Sequence, residues 1–280
     1  MPIAAITQAL DRGIDAALAD ERIVGCVVLL AQGGRTLYSR AAGMADREAG
    51  RAMTPDIWLR YASVTKPFTT MAALRLMAQG RLSPDDPVTR HLPDFRPALP
   101  DGSRPTITVA QLMAHMAGLD YGFAQPPGGP YARAGVSDGI GDTGITLAEN
   151  LRRIASVPLD RAPGEGWRYS VATDVLGAVI ESVMDQPLPQ AMRALVTEPL
   201  ALEADFLADP ARLAANYADA RPRPLRMQGL TRVPIPGSDG LMFSYLPERA
   251  TDPDAYPSGG GGMSGTARAA LALLEALRAG

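Results

Sequence analysis

The sequence predicts a mixed α/β fold in which a helical insert separates α/β pieces, and three observations carry that prediction. A helical pattern over residues 3–19 runs into two apolar strand patterns, 24–32 and 36–42, joined at Gly33-Gly34. From Leu82 the texture changes: Pro84, Pro87, Pro93, Pro97, Pro100 and Pro105 punctuate a stretch without strand alternation, followed by short helix patterns. A last periodic helix closes the chain after Ser258 and four glycines. Patterns segregated in this way read as helices against a sheet, with a mainly helical insertion.

Taken in order, residues 3–19 place Ile6, Ala9, Leu10, Gly13, Ile14 and Ala17 on one helical side. The Gly33-Gly34 pair is a hairpin signal, because both residues tolerate the positive φ angles that a two-residue turn demands. After a loop through Met53-Thr54-Pro55 comes a helix near Ser63, with Phe68, Met71, Leu74 and Met77 expected to face a core and Gly80 ending it. Thr108 can cap a helix at 109–116, and Thr146 with Glu149 forms a capping-box pattern for 147–156. Residues 171–185 carry the apolar stripe Val171, Val175, Leu176, Val179, Ile180 and Val183. Residues 207–257 read as long loops with short strands, and a helix runs from Thr266 to the end.

A chain of 280 residues with 46% hydrophobic content can bury a sizeable core, and its net charge of -3 offers no basic field for nucleic acid. No window approaches the roughly eighteen unbroken apolar residues of a membrane span. Residues 1–20 carry Asp11, Arg12, Asp15 and Asp20 rather than a basic segment and an apolar core, so the expected location is cytoplasmic. Cys26 is the single cysteine, which excludes an internal disulfide framework; its apolar surroundings, Val24 to Leu30, suit a buried structural thiol.

The chemistry concentrates at Tyr61-Ala62-Ser63-Val64-Thr65-Lys66-Pro67-Phe68, which holds the only lysine in the chain. A guanidinium keeps its proton in a protein, whereas an ammonium can be made to release one, so a lone lysine is a lone candidate base. At helical spacing Lys66 shares a face with Ser63, giving a serine nucleophile beside a base. Pro67 is tolerated only in a first helical turn, which puts Ser63 at the helix start, where free N–H groups favour developing negative charge. The plainer alternative makes Ser63 an N-cap and Lys66 a solvated side chain.

A second signal is Pro163-Gly164-Glu165-Gly166-Trp167-Arg168-Tyr169-Ser170-Val171, a glycine-rich approach to a tyrosine ahead of a helix. Tyrosine and lysine have reference pKa values near 10, so a hydrogen-bonded pair can relay a proton with little mismatch. A packed ring with a capped hydroxyl is the competing role for Tyr169. Other chemistries fall away. Lys66 does not follow glycine as a P-loop requires, and His91 and His115 stand outside any zinc-binding spacing. Gly262-Met263-Ser264-Gly265-Thr266 misses the nucleophile-elbow pattern at its last position, and Gly260 to Gly265 matches a dinucleotide motif without its preceding strand.

Ser63-Val64-Thr65-Lys66 with Tyr169-Ser170-Val171 resembles the serine β-lactamase-like superfamily, the fold of class C β-lactamases and penicillin-binding proteins, and most closely the family VIII carboxylesterases. Leu112-Met113-Ala114-His115-Met116-Ala117-Gly118-Leu119, Pro163-Gly164, and Tyr256-Pro257-Ser258-Gly259-Gly260-Gly261-Gly262-Met263 fit the same family. The resemblance implies an antiparallel sheet flanked by helices, with an α/β domain at 1–82 and 186–280 and a mainly helical domain at 83–185. It implies Ser63, Lys66 and Tyr169 as catalytic residues and the Ser63 backbone N–H as an oxyanion donor. Tyr121, Phe123 and Trp167 are expected along the acyl or alcohol side of the cleft, packing being the alternative for each. Val171 stands at a substrate-facing position where class C β-lactamases carry asparagine. No metal or organic cofactor is expected, and His115 is read as a structural hydrogen-bonding residue.

The activity so implied is hydrolysis of small carboxylic esters, short-chain acyl esters and cephalosporin acetyl esters among them, with neither nucleic acid nor membrane as partner. The family's third motif, Trp-Gly-Gly or His/Lys-x-Gly on a strand facing the nucleophile, does not occur before Gly280. The resemblance therefore implies an incomplete α/β domain, completed by a C-terminal fragment of the same protein or by a homo-oligomer. Rival readings are a β-lactamase or D,D-peptidase, an amide hydrolase, a transacylase, and a catalytically incomplete fragment with a binding role.

Overall fold

The structure, a computed structural model, describes residues 3–141, 144–235, 237–238 and 240–280. Helix α1 (Ile3–Ala19) leads into a hairpin of β1 (Gly25–Gln32) and β2 (Arg35–Asp46), with β3 (Arg51–Ala52) as third strand. Gln32 lies opposite Arg35, so the turn is Gly33 and Gly34 alone, at φ 57° and 79°. A side chain at both positions would be strained, which is why the glycine pair sets the register. Helix α1 packs on β2, with Tyr38 Oη 2.6 Å and Arg40 Nη1 2.9 Å from Asp11 Oδ1. Cys26 sits half-buried in β1, and burial raises its thiol pKa, disfavouring the reactive thiolate.

Two-residue strands β4 (Leu59–Arg60) and β5 (Ala204–Asp205) flank β10 (Ser264–Gly265). This small sheet brings the residues just before Ser63 against those just after the glycine run. Between β5 and β10 come two hairpin pairs, β6 (Tyr217–Ala218) with β7 (Leu225–Arg226), and β8 (Thr231–Pro234) with β9 (Met242–Tyr245).

The main core gathers α2 (Thr65–Ala78), α3 (Val109–Met113), α6 (Ala172–Met184), α7 (Leu188–Met192) and α8 (Ala267–Ala279). Phe68, Leu76, Leu112, Leu176, Ile180, Leu188 and Leu273 are its fully buried side chains among others. Helices α4 (Pro130–Ala134) and α5 (Leu147–Ser156) pack beside it. The α5 and α6 spans agree closely with the sequence patterns. In α2 the expected three-residue stripe fails at Leu74, which is 40% exposed. Three residues fall about 60° short of a full turn, so that stripe drifts off the buried face; Phe68, Thr69, Ala72, Ala73 and Leu76 keep to it. Helix α3 stops at Met113 rather than 116, because the chain turns at His115 with φ 54°. At Thr146 only half of the capping box forms: its side chain accepts from Glu149 N–H, while the Glu149 carboxylate goes to Arg152 and Arg153. Among the described residues no helix is long and apolar enough to cross a membrane.

Candidate active site

Strand β4 delivers Tyr61, whose N–H donates to Met263 O at 2.9 Å and whose hydroxyl donates to Thr266 O at 2.6 Å. Its ring stacks on Phe68 at 5.4 Å. Ala62 follows with φ 44°, a left-handed conformation that alanine adopts under strain. Ser63 then sits in a 3-10 turn, Ala62–Val64, that runs directly into α2. Neither segment has a side-chain N-cap bond, so Ser63 does not spend its hydroxyl on capping. Its side chain is exposed, with Tyr169 Oη 2.6 Å and Lys66 Nζ 3.4 Å from Oγ. The Lys66 ammonium donates a shorter bond, 2.7 Å, to Gly260 O, and lies 4.7 Å from the Tyr169 ring centroid and 5.3 Å from that of Tyr121. The three groups named from the sequence thus meet at one point.

Tyr169 is held by a strap of bonds to residues 115–120. The Arg168 N–H donates to His115 O at 2.8 Å, and the Val171 N–H donates to Asp120 O at 3.1 Å. The Arg168 guanidinium grips the buried Asp120 carboxylate with two bonds of 2.9 and 2.8 Å. His115 Nδ1 accepts from Ser170 N–H at 3.3 Å, and its ring lies 5.0 Å from that of Tyr169. Burial, and then the Lys66 charge, lower the His115 pKa to about 4, so the ring is neutral near pH 7 with its proton on Nε2. Asp120 and Arg168 escaped the sequence reading. The adjacency of Arg168 to Tyr169 was the available signal, and its distant carboxylate carried none.

The glycine run completes the site, and close approach explains its composition. A Cβ on Gly259 would stand 2.7 Å from Thr173 O; one on Gly260 would meet Asp174 Oδ2 at 3.0 Å and Tyr121 Oη at 3.1 Å. Glycine lets this backbone lie against α6 while Thr69 Oγ1 donates to Gly259 O at 2.8 Å and Met263 N–H donates to Thr65 Oγ1 at 3.1 Å. Asp174, in the first turn of α6, accepts from Gly260 N–H at 3.3 Å and is wholly buried. Among the described residues, its Oδ2 and the neighbouring Ser258 Oγ lack a hydrogen-bond partner. Burial raises the Asp174 pKa; Ser258, outside hydrogen-bond geometry, and the Lys66 charge act against it. A buried unpaired oxygen is what a carboxyl rather than a carboxylate tolerates.

A cavity of about 400 Å³ opens beside Ser63, lined by Tyr121 and Phe123 and by Val233, Phe243 and Tyr245 of β8 and β9, with Arg60, Asp138, Asn216 and Asp219 among its polar members. Tyr121 is buried and stacks on Phe123 at 4.6 Å. Trp167 does not line this cavity: it is 64% exposed, 6.4 Å from the Tyr169 ring. Val171 corrects the sequence expectation outright. It is fully buried in the main core as the N-cap of α6, where its side chain can touch no ligand. No cluster of three His, Cys, Asp or Glu suited to a metal occurs among the described residues.

Comparison with known proteins follows this geometry. The family model described as Beta-lactamase matches residues 10–280. Esterase EstB of Burkholderia gladioli is 49% identical over 278 residues, 99% of this chain and 71% of that protein. Protein Rv1367c of Mycobacterium tuberculosis is 30% identical over 255 residues, 87% of this chain, which spans 59% of that protein's length. Among solved structures, EstCE1, described as a hydrolase with promiscuous acyltransferase activity, superposes with a TM-score of 0.95 at 43% identity, over 99% of this chain and 72% of that one.

Proposed function

From the premise that the chain belongs to the Beta-lactamase family, we propose that it is a serine carboxylesterase that works through an acyl-enzyme on Ser63. The observation that carries this reading is the Ser63 hydroxyl held 2.6 Å from Tyr169 Oη and 3.4 Å from Lys66 Nζ. Ser63 Oγ attacks the ester carbonyl while its proton passes to the Tyr169–Lys66 pair. The Ser63 N–H, at the opening of the helical stretch, faces the oxyanion. The pair returns the proton to the leaving alcohol as the carbon–oxygen bond breaks. Water then attacks the acyl carbon by the same route, and Ser63 leaves with its proton restored. The 49% identity to Esterase EstB favours a family VIII esterase over an efficient β-lactamase. The cleft is formed where the mainly helical residues 83–185 meet the rest of the chain.

Transfer of the acyl group to an alcohol is the second reading. It is favoured by the cavity beside Ser63 with its six aromatic side chains, which can hold an organic acceptor next to the acyl carbonyl, and by EstCE1's described acyltransferase activity.

The test is labelling with a fluorophosphonate, followed by intact mass. One adduct per chain that disappears in Ser63→Ala, with p-nitrophenyl acetate turned over faster than nitrocefin, is the expected result. Tyr169→Phe should lower kcat by about 10²–10⁴. Absence of any Ser63 adduct sinks the reading.

A further inference from the structure

The chain holds two Trp, eight Tyr and five Phe, and six of these fifteen rings line a cavity that opens on Ser63: Tyr121, Phe123, Tyr169, Tyr217, Phe243 and Tyr245. Most of the others are occupied elsewhere. Trp58, Tyr61, Phe68, Phe95, Tyr131, Phe206 and Tyr256 are buried. Of the six at the cavity only Tyr121 is buried; the other five keep part of their surface open. Aromatic surface not used by the core is surface available to a ligand.

The rings are also placed to enclose one. Phe243 and Tyr245, two apart on β9, point to the same face of that strand, and Val233 of β8 stands directly opposite Phe243 in the register and joins them at the cavity. At the same cavity, Tyr121 stacks on Phe123 at 4.6 Å and 18° and tilts against Tyr169 at 5.1 Å and 47°. Tyr217 contributes a ring whose hydroxyl is tied away, bonded to Glu48 and to the Arg47 N–H. Its polar atom is therefore already satisfied, and the ring is what it has to offer a ligand.

The geometry points to esters that carry an aromatic ring as the substrates this site is shaped for, the ring stacking against the aromatic side chains of β9 and the Tyr121–Phe123 pair that line the cavity while the ester carbonyl lies at Ser63. This specificity rests on the proposed esterase reading. Stacked and edge-on ring pairs are favoured over an aliphatic group of the same size, so the preference is for the ring as such and not only for bulk.

The experiment compares four esters of unactivated alcohols by pH-stat. Ethyl acetate is the baseline. Ethyl phenylacetate puts a ring on the acyl side, benzyl acetate puts it on the alcohol side, and ethyl cyclohexylacetate matches size without aromaticity. At least one ring-bearing ester is expected to exceed ethyl acetate by about tenfold or more in kcat/KM, and which one it is assigns the box to the acyl or the alcohol half of the substrate. Phe243→Leu, which keeps an apolar side chain and removes the ring, should lower that ratio severalfold. Equal kcat/KM for all four esters overturns the proposal and leaves the esterase reading standing, as does a preferred ring-bearing ester that its own cyclohexyl counterpart matches, ethyl cyclohexylacetate for ethyl phenylacetate and cyclohexylmethyl acetate for benzyl acetate. Binding to Ser63→Ala by calorimetry separates the two claims from the other side. Benzyl acetate or ethyl phenylacetate binding at least tenfold tighter than ethyl acetate is expected even in a protein that turns nothing over, and equal affinities refute the aromatic box.

Discussion

Asp174 shows how much a single residue can decide at this site. Its carboxyl is wholly buried, one oxygen is bonded to Gly260 N–H, and the other has no hydrogen-bond partner among the described residues. Burial raises its pKa above the ordinary 3.8. A carboxyl raised on folding binds its proton more tightly in the native state, so native stability falls as pH rises through the folded pKa. Asp174→Asn keeps an acceptor for Gly260 and removes the charge. It is expected to raise Tm at pH 8, with the gain vanishing as pH drops well below 3.8, where both side chains are neutral in both states. A Tm difference independent of pH would refute this account. Ser63, Lys66 and Tyr169 were legible because nucleophile and base sit one helical turn apart and the tyrosine follows a glycine-rich approach. Asp174 was not, since an acidic residue in a first helical turn reads as a helix-dipole partner until the chain that covers it is known.

Elements long enough to show a period could be read, and elements fixed by a distant neighbour could not. Strand β1, α5, α6 and the Thr266-capped α8 stand close to their sequence limits, while β2 runs on to Asp46, past the 42 read from the sequence. The strands β4, β5 and β10 have two residues each; no alternation can appear over so short a length, although they fix Ser63 against the glycine run. The 188–192 helix and the π-helical turn Arg193–Thr197 that follows it were hidden by Pro187 and Pro189, which break the pattern at the point where α7 begins. The glycine run looked like a weak nucleotide motif, because close backbone approach is a tertiary fact. Gly259→Ala therefore tests the element as a whole. Its methyl meets Thr173 O at 2.7 Å, a backbone atom of α6 that cannot swing aside. The expected outcome is a loss of about 1–3 kcal/mol in urea-unfolding stability, and a fall in kcat through displacement of the neighbouring Gly260 carbonyl from Lys66.

At the scale of the molecule, one core joins the helices. Buried side chains of α2, α3, α6, α7 and α8 form a single cluster, so the helical stretch and the segment that follows it share their stabilising contacts. Leu176→Ala, at a position with no exposed surface, should cost about 2–5 kcal/mol. Calorimetry should show one displaced transition, not the loss of one among several. The ion pairs lie mostly at the surface, such as Arg152 with Glu149 at 2.7 Å, and contribute little by comparison. The same whole-chain view gives Lys66 a practical meaning. Every other side chain in the Lys and Arg class is arginine, so apart from the α-amino group the molecule has one primary amine, and it lies beside Ser63. Reductive methylation with ¹³C-formaldehyde would place a single side-chain reporter in the candidate active site, whose chemical shift follows acylation and ligand binding without assignment of any other resonance. The corollary for handling is that amine-directed immobilisation or dye conjugation of this sequence has two targets, the α-amino group with its lower pKa and Lys66, so labelling past the first equivalent strikes its chemistry.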